Sequence, residues 1–352
     1  ALCDMGRAAD AVAMLRRACE ITPEDEGLWS NLASTLNYTD HAAPGEVYEA
    51  HRKYGKLIAG KSGAPREPSI TDRNPDRPLR VGVLSADLRN HSVSFYARSL
   101  IEHLCAQNPG EFSIIAYFNH SEEDAVSREL RSMVDGWRRV DTLDDAALAA
   151  QIRHDRIDIL IELAGHTMGE RFGALALKPA PIQMTYIGYP NTTGVDAIDY
   201  RIVDSLTDPP GIADGLATER LLRLDPCFLC YSPLAQAPEP ASAPCLTNGF
   251  ITFGSFNAIS KLSPTTVRMW SLLVQATVGS RLILKSQAFR DQAVRREIGE
   301  RFALAGLASD RVELLPPNAS RADHLALYGR IDLGLDPYPY HGTTTTCEAF
   351  HM

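Results

Sequence analysis

From Leu79 onward, short apolar runs alternate with longer stretches in which apolar residues recur every third or fourth place. The runs predict strands at Leu79–Leu84, Phe112–Phe118, Ile157–Leu163, Ile182–Ile187 and Tyr200–Val203. Amphipathic or polar helices fall between most of them. Strand runs rich in β-branched residues, separated by helical segments, imply a parallel sheet covered on both faces. The alternation stops in a Pro- and Ala-rich stretch, 234–247, and then restarts. The second series predicts strand Phe250–Phe253, helix Pro264–Gln275, strand Arg281–Lys285, helix Asp291–Ala305, strand Arg311–Leu315, helix Arg321–Tyr328, strand Ile331–Leu335 and a Thr-rich helix.

The first forty residues have a different rhythm. Gly6, Ala11, Leu15, Ala18 and Pro23 fall at the spacing of the second helix of a tetratricopeptide unit. Glu26 opens another unit, with Trp29, Leu32 and Ala33 at the offsets of its first helix. Small residues let paired helices approach, and such units stack into grooves that hold extended peptides. A further helix is predicted at Val47–Ile58, and Gly60 to Arg77 reads as a linker. The expected organisation is therefore a helical repeat remnant at 1–63, a first sheet-and-helix half at 64–233, a linker at 234–247 and a second half at 248–352. Ala1 lies inside a helical pattern and Met352 follows closely on a helix start, so we expect a piece of a longer chain with an incomplete second half.

Composition narrows the class. At 352 residues, the chain is long enough for two or three domains. Its hydrophobic share, 45%, is that of a globular protein, and no stretch approaches the ~20 apolar residues of a membrane span. A net charge of -9 argues against a nucleic-acid or anionic-membrane surface as partner. Seven scattered cysteines without a signal-peptide pattern imply reduced thiols and a cytoplasmic setting. No metal-ligand cluster is visible, and we expect neither a metal nor a cofactor.

Candidate chemistry gathers where strands end. Strand Ile331–Leu335 leads through a Pro-rich turn to Gly342, then Thr343, Thr344, Thr345 and Thr346, with Glu348 one turn on. Amides and hydroxyls at a helix N-terminus bind anions, and a carboxylate one turn later can accept from ribose hydroxyls. An ordinary capped helix needs one Thr, not four. Lys261 precedes a helix capped by Ser263 with Pro264 at its first position; a cation there matches a helix start poorly unless an anion lies between, which points to a diphosphate. Lys285 is a weaker phosphate candidate. Ala319, Arg321 and His324 open the next helix and are candidates for the edge of a base, although a histidine such as His324, taken alone, is more often a surface helix residue. In the first half, His91 follows the first strand in a polar loop, where it can accept a proton or a hydrogen bond. His166 and Thr167 follow the third strand, and Tyr189 and Asn191 the fourth, so His166, Tyr189 and Asn191 are candidates for an acceptor or sugar side. Each of these loops can be a simple turn; several at the strand ends of one sheet favour a shared site, with the cleft between the halves as its expected place.

At these residues the sequence resembles the O-GlcNAc transferase and SPINDLY family. The motifs are Asn90-His91-Ser92-Val93-Ser94, Glu162-Leu163-Ala164-Gly165-His166-Thr167, Pro179-Ala180-Pro181-Ile182-Gln183, Gly188-Tyr189-Pro190-Asn191-Thr192-Thr193-Gly194, Phe253-Gly254-Ser255-Phe256-Asn257 with Lys261, and the Thr run with Cys347-Glu348. The resemblance implies a GT-B fold of two Rossmann-like halves behind tetratricopeptide helices, and a metal-independent, inverting protein O-glycosyltransferase. It implies that His91 is the active-site histidine that positions substrate. Lys261 would bind the donor diphosphate together with Gly342, Thr343, Thr344 and Thr345, and Glu348 would hold the ribose. Ala319, Arg321 and His324 would hold the base, and Thr167 would touch the donor. His91 to Ser94, Gly165 to Thr167, Asn191 to Thr193 and Asp225 to Tyr231 lean towards the SPINDLY branch. The donor is therefore expected to be UDP-GlcNAc, with GDP-fucose as the alternative, and the partners to be acceptor proteins guided by the repeat groove. Ala258 stands where the animal enzyme has a glutamine near the donor. Two further readings stay open: a non-catalytic scaffold with a nucleotide-binding fold, and a sugar-nucleotide epimerase.

Overall fold

A computed structural model describes residues 2–63, 74, 76–107, 110–233 and 237–352. Most of the linker expected at Gly60 to Arg77 and residues 234–236 of the second linker lie outside the described residues. Three helices come first: α1 (Ala8–Ile21), α2 (Glu26–Leu36) and α3 (Pro44–Ser62). Then follow β1 (Leu79–Ser85), α4 (Ser92–Gln107), β2 (Phe112–Phe118), α5 (Ala125–Met133), β3 (Gly136–Arg139), α6 (Asp145–His154), β4 (Ile159–Glu162), α7 (Phe172–Ala176), β5 (Ile182–Thr185), β6 (Tyr200–Val203) and β7 (Arg220–Arg223). The last part holds α8 (Cys245–Asn248), β8 (Thr252–Ser255), α9 (Pro264–Ala276), β9 (Arg281–Lys285), α10 (Gln292–Leu304), β10 (Val312–Leu315), α11 (Arg321–Ala326), β11 (Leu333–Gly334) and α12 (Thr344–His351).

The chain divides into two compact units: Ala18–Ser34 with Ala43–Ser232, and Ala1–Arg17 with Thr35–Ala42 and Pro233–Met352. The helical region 1–63 is thus shared between them. In the first unit, seven parallel strands run in the order β3-β2-β1-β4-β5-β6-β7. Val81 pairs with Ile114 on one side and Ile159 on the other, so β1 is central and buried. Strands β3 and β7, which the apolar pattern did not predict, are the edges. Their sequences, Gly-Trp-Arg-Arg and Arg-Leu-Leu-Arg, carry the charge that sheet edges favour. Helix α3 packs on this sheet through glycine: a Cβ on Gly55 would lie 1.7 Å from the carbonyl oxygen of Gly194. Tyr54 and Ile58 join Leu84, Leu148, Leu160, Phe172 and Val195 in one core. Trp29 Nε1–H donates to the carbonyl of Pro23 (2.9 Å), which links two residues of the repeat signature.

In the second unit, four parallel strands run β10-β9-β8-β11. Phe253, Leu282, Leu284, Trp270, Ile298 and Phe302 form its core. Pieces of the N-terminal region belong here too. Asp40 accepts from the backbone N–H of Thr265 (3.1 Å) at the start of α9, and Tyr38 stacks on Tyr340 at 4.5 Å. In each unit the strand order reverses beside the first strand, between β1 and β4 and between β8 and β11. Ligands of open parallel sheets bind outside the carboxyl ends of strands at such switch points.

Candidate functional site

The switch point of the second unit brings two loops together. After β8, Ser255 and Asn257 lead to a turn that carries Lys261; Ser263 then caps α9, its hydroxyl accepting from Thr266 N–H (3.1 Å). After β11, the loop 336–342 is tied to that cap: the carbonyl of Tyr338 accepts from the hydroxyls of Ser263 (2.6 Å) and Thr266 (2.7 Å). Asp336 Oδ1 accepts from Gly342 N–H (2.6 Å). The loop then enters α12 at Thr343, which makes no side-chain capping bond. The first bond of the helix runs from Cys347 N–H to Thr343 C=O (3.0 Å), so the amides of Thr344, Thr345 and Thr346 precede the helical ladder, where the helix dipole favours an anion. Thr345 Oγ1 donates to Asn257 Oδ1 (2.9 Å) and joins the two loops. Gly342 is tightly enclosed: a Cβ there would lie 2.6 Å from both Thr345 Oγ1 and Thr346 Oγ1.

Lys261 faces this helix start. Its Nζ donates to the carbonyl of His341 (2.8 Å) and lies 4.5 Å from the centre of the Tyr340 ring. Burial pushes its ammonium down to about 8, against a smaller pull upward from Asp336. A half-buried amine held below its ordinary range is a cation that gains from an arriving anion.

Glu348 lies deeper, 1% exposed. Its carboxylate accepts from Arg321, from His324 Nε2 (2.9 Å) and from the Tyr328 hydroxyl (3.2 Å). Lys285, at the end of β9, contacts His324 Nδ1 and sits 5.6 Å from the Phe256 ring centre. His324 is therefore a buried member of a polar cluster and not a surface residue of its helix. Burial, then the charges of Lys285 and Arg321, push it down to about 3, so it is neutral. Ala319 is exposed, just before the Ser320 cap of α11. Tyr328 was not singled out from sequence, and Asn257 and Phe256 stood there only within a motif, without a role. Tyr328 carried a signal, since it follows His324 by one helical turn.

The first unit has its own switch point. His91 is exposed after β1; its Nδ1 accepts from Val93 N–H (3.3 Å) and lies 3.6 Å from Asp87 Oδ2. Burial lowers its pKa, opposed by Asp87. At the end of β4, Glu162 is buried and accepts from the N–H groups of Ala164 (3.0 Å) and Gly165 (2.9 Å) and from the Thr185 hydroxyl, which fixes the turn that presents Thr167. Thr167 is exposed, with its hydroxyl donating to Ala164 O (2.8 Å). His166 and Tyr189 point inward. His166 Nε2–H donates to Thr193 O (2.8 Å), its Nδ1 accepts from Ser30 Oγ (2.9 Å), and the Tyr189 hydroxyl meets His51 Nε2 (2.7 Å). Both side chains thus bond to residues of the helical region. Asn191 Oδ1 accepts from Thr192 N–H (2.8 Å). Asp332 accepts from Cys245 and Thr252 N–H groups (2.9 and 2.8 Å) and Asp336 from Gly342.

Residues 65–230 match the model of glycosyl transferase family 41. The probable UDP-N-acetylglucosamine–peptide N-acetylglucosaminyltransferase SPINDLY of Arabidopsis thaliana is 36% identical over 338 residues, 95% of this chain and 36% of that protein. Its namesake from Oryza sativa subsp. japonica is 38% identical over 344 residues, 96% of this chain and 36% of that protein. The chain therefore spans just over a third of the length of these relatives. The solved structure of a mutant of Thermobaculum terrenum O-GlcNAc transferase superposes with a TM-score of 0.91 at 34% identity, covering 99% of this chain and 65% of that one. The fold is thus of the GT-B type, two Rossmann-like arrangements behind a helical region. With the motifs at both switch points and similarity along almost its whole length, the chain belongs to glycosyl transferase family 41, the O-GlcNAc transferase and SPINDLY family.

Proposed function

We propose that this chain is part of a protein O-glycosyltransferase that moves GlcNAc from UDP-GlcNAc to Ser or Thr hydroxyls, with inversion and without a metal. The observation that carries the reading is the anion cradle of the second unit: the amides of Thr344 to Thr346, a desolvated Lys261 and the enclosed Gly342 at one switch point. A departing diphosphate gathers negative charge as the bond from the anomeric carbon to the phosphate oxygen breaks. Preorganised donors and a fixed cation at that place stabilise it. The acceptor hydroxyl forms the new bond on the opposite face of the sugar and gives up its proton. His91 is assigned to positioning substrate and Thr167 to the donor side. Glu348, Arg321, His324 and Ala319 are assigned to the nucleoside end, and the repeat helices to guiding the acceptor polypeptide.

The names of the relatives support the choice of UDP-GlcNAc, while the SPINDLY-type motifs around His91, His166 and Asn191 favour GDP-fucose as the second reading. The test is calorimetry of the full-length protein against UDP and GDP, followed by mass spectrometry of an acceptor protein incubated with each nucleotide sugar. Tighter UDP binding and a GlcNAc adduct support the proposal. Tighter GDP binding and a fucose adduct replace the donor. Nucleotide binding without any adduct or free altered sugar points to a scaffold, and free altered sugar to an epimerase. If Lys261→Met leaves transfer unchanged, the mechanism is wrong.

A further inference from the structure

Lys285 has no place in the reading above, yet it is among the most enclosed cations of the second unit. It is 8% exposed, beside His324 (8%), Tyr328 (6%), Phe256 (7%) and Glu348 (1%). Its ammonium offers donors only, and it faces His324 Nδ1. The other nitrogen of that ring faces a carboxylate oxygen, Glu348 Oε2, at 2.9 Å. An ammonium on one side and a carboxylate on the other leave the imidazole one arrangement: a lone pair on Nδ1 and a proton on Nε2. Glu348 in turn lies on α12, and Tyr328, which donates to Glu348, also reaches the carbonyl of Thr345 in the first turn of that helix (3.0 Å). A line of hydrogen bonds thus runs from the end of β9 through α11 to the turn that forms the anion cradle.

We propose that Lys285 is a positioning residue of the donor site: it holds His324 as the neutral Nε2–H form and, through it, fixes the Glu348 carboxylate and the first turn of α12. Without the ammonium, Nδ1 faces an unpaired interior, and a second proton there is drawn by Glu348. The imidazole then becomes a cation that competes with Arg321 for the carboxylate. The consequence for the donor rests on the transferase reading, whereas the state of the imidazole does not.

The test uses the full-length chain with 15N-labelled histidine, with the His324 signals assigned by their loss in His324→Gln. In the wild type, one ring nitrogen of His324 stays unprotonated from pH 7 down to pH 5. In Lys285→Met, we expect the second nitrogen to protonate with a midpoint moved up by more than one pH unit. We also expect the donor KM to rise about tenfold, the loss of one charge-assisted hydrogen bond, with kcat within threefold. Lys285→Arg, which keeps a cationic donor, restores both. His324 signals that are the same in Lys285→Met and wild type overturn the proposal, as does a donor loss that Lys285→Arg fails to recover. A wild-type protein that binds neither UDP nor GDP defeats the transferase reading, and the histidine signals still decide the role of Lys285.

Discussion

Donor binding should weaken as pH rises through 8, because Lys261 must be charged to meet a diphosphate and burial works against that charge. Its ordinary value of 10.5 is pushed down to about 8. The groups that face it are the Tyr340 ring, the His341 carbonyl and, further off, Asp336, a carboxylate that favours the ammonium. At pH 7 about nine chains in ten carry the charge; at pH 8.5 about one in four does. A ligand that binds only the charged form loses affinity in proportion, about fourfold between these pH values. The bound diphosphate favours the ammonium, so binding near pH 8 takes up protons. Calorimetry with a nucleotide sugar, whose diphosphate does not titrate in this range, reads both effects when repeated in buffers of different ionisation enthalpy. Lys285 is also held at about 8, so the Lys261 share is the difference between wild type and Lys261→Met. Lys261→Met should bind at least about tenfold more weakly, the worth of a charge-assisted hydrogen bond. A wild-type affinity flat from pH 7 to 8.5, or an equal slope in Lys261→Met, refutes the argument.

Other positions test the frame. Gly342→Ala sets a methyl 2.6 Å from two threonine hydroxyls and 3.0 Å from Asn257 Oδ1; the hydroxyls can turn away, so nucleotide affinity should fall about tenfold, with a stability loss of about 1 kcal/mol in urea titration. Gly55→Ala meets a backbone carbonyl at 1.7 Å, which cannot turn away, and should cost about 3 kcal/mol and lower the Tm by several degrees. Glu348→Ala strips the buried partner from a partly exposed Arg321 and a neutral His324 and should destabilise by about 2–3 kcal/mol. A thermal shift within one degree of wild type would contradict that account of the cluster.

Several strands were legible from their apolar runs alone. Phe112–Phe118, Tyr200–Val203 and Arg281–Lys285 form over the residues that their apolar runs predict. The edges β3 and β7 were not, since an edge strand needs charge more than hydrophobicity and then reads as loop. At Leu333–Gly334 the ladder is shorter than the apolar run, and both of its residues are exposed. The cradle was legible for a local reason: four hydroxyl residues after a glycine are adjacent in sequence. The Lys285–His324–Glu348 line was not, because its members lie on three elements, and only the parallel order β10-β9-β8-β11 brings those elements to one end of the sheet. His166 and Tyr189 sit at strand ends, as a ligand residue would. What directs them inward is helix α3 with His51, and Ser30 on α2, more than a hundred residues away.

That inward pair has a consequence for acid stability. His51 is fully buried: its Nδ1–H donates to Val47 O (2.6 Å) and its Nε2 accepts from Tyr189. His166 has both nitrogens engaged in the same way. Among the described residues neither bonds to a carboxylate that would welcome a second proton, and burial pushes His51 down to about 4 and His166 to about 3. The unfolded chain protonates both near 6.5, so between that value and the folded ones it binds more protons than the native state. The stability held above pH 6.5 is therefore lost as pH falls, at about 2 kcal/mol for each histidine between pH 7 and 5. Glu162 and Glu170 act in the opposite sense: burial raises both, so acid relieves a cost that they impose at neutral pH. The total slope mixes these terms, and the histidine share has to be taken as a difference. Urea midpoints of wild type and His51→Gln at pH 7 and pH 5 supply it. The variant keeps a hydrogen-bonding side chain against Tyr189 but has nothing to protonate, and it should lose about 2 kcal/mol less over the two units. Equal losses would mean that His51 takes up its proton inside the native fold, and that α3 holds its place on the sheet through the Gly55–Gly194 contact and not through a neutral histidine.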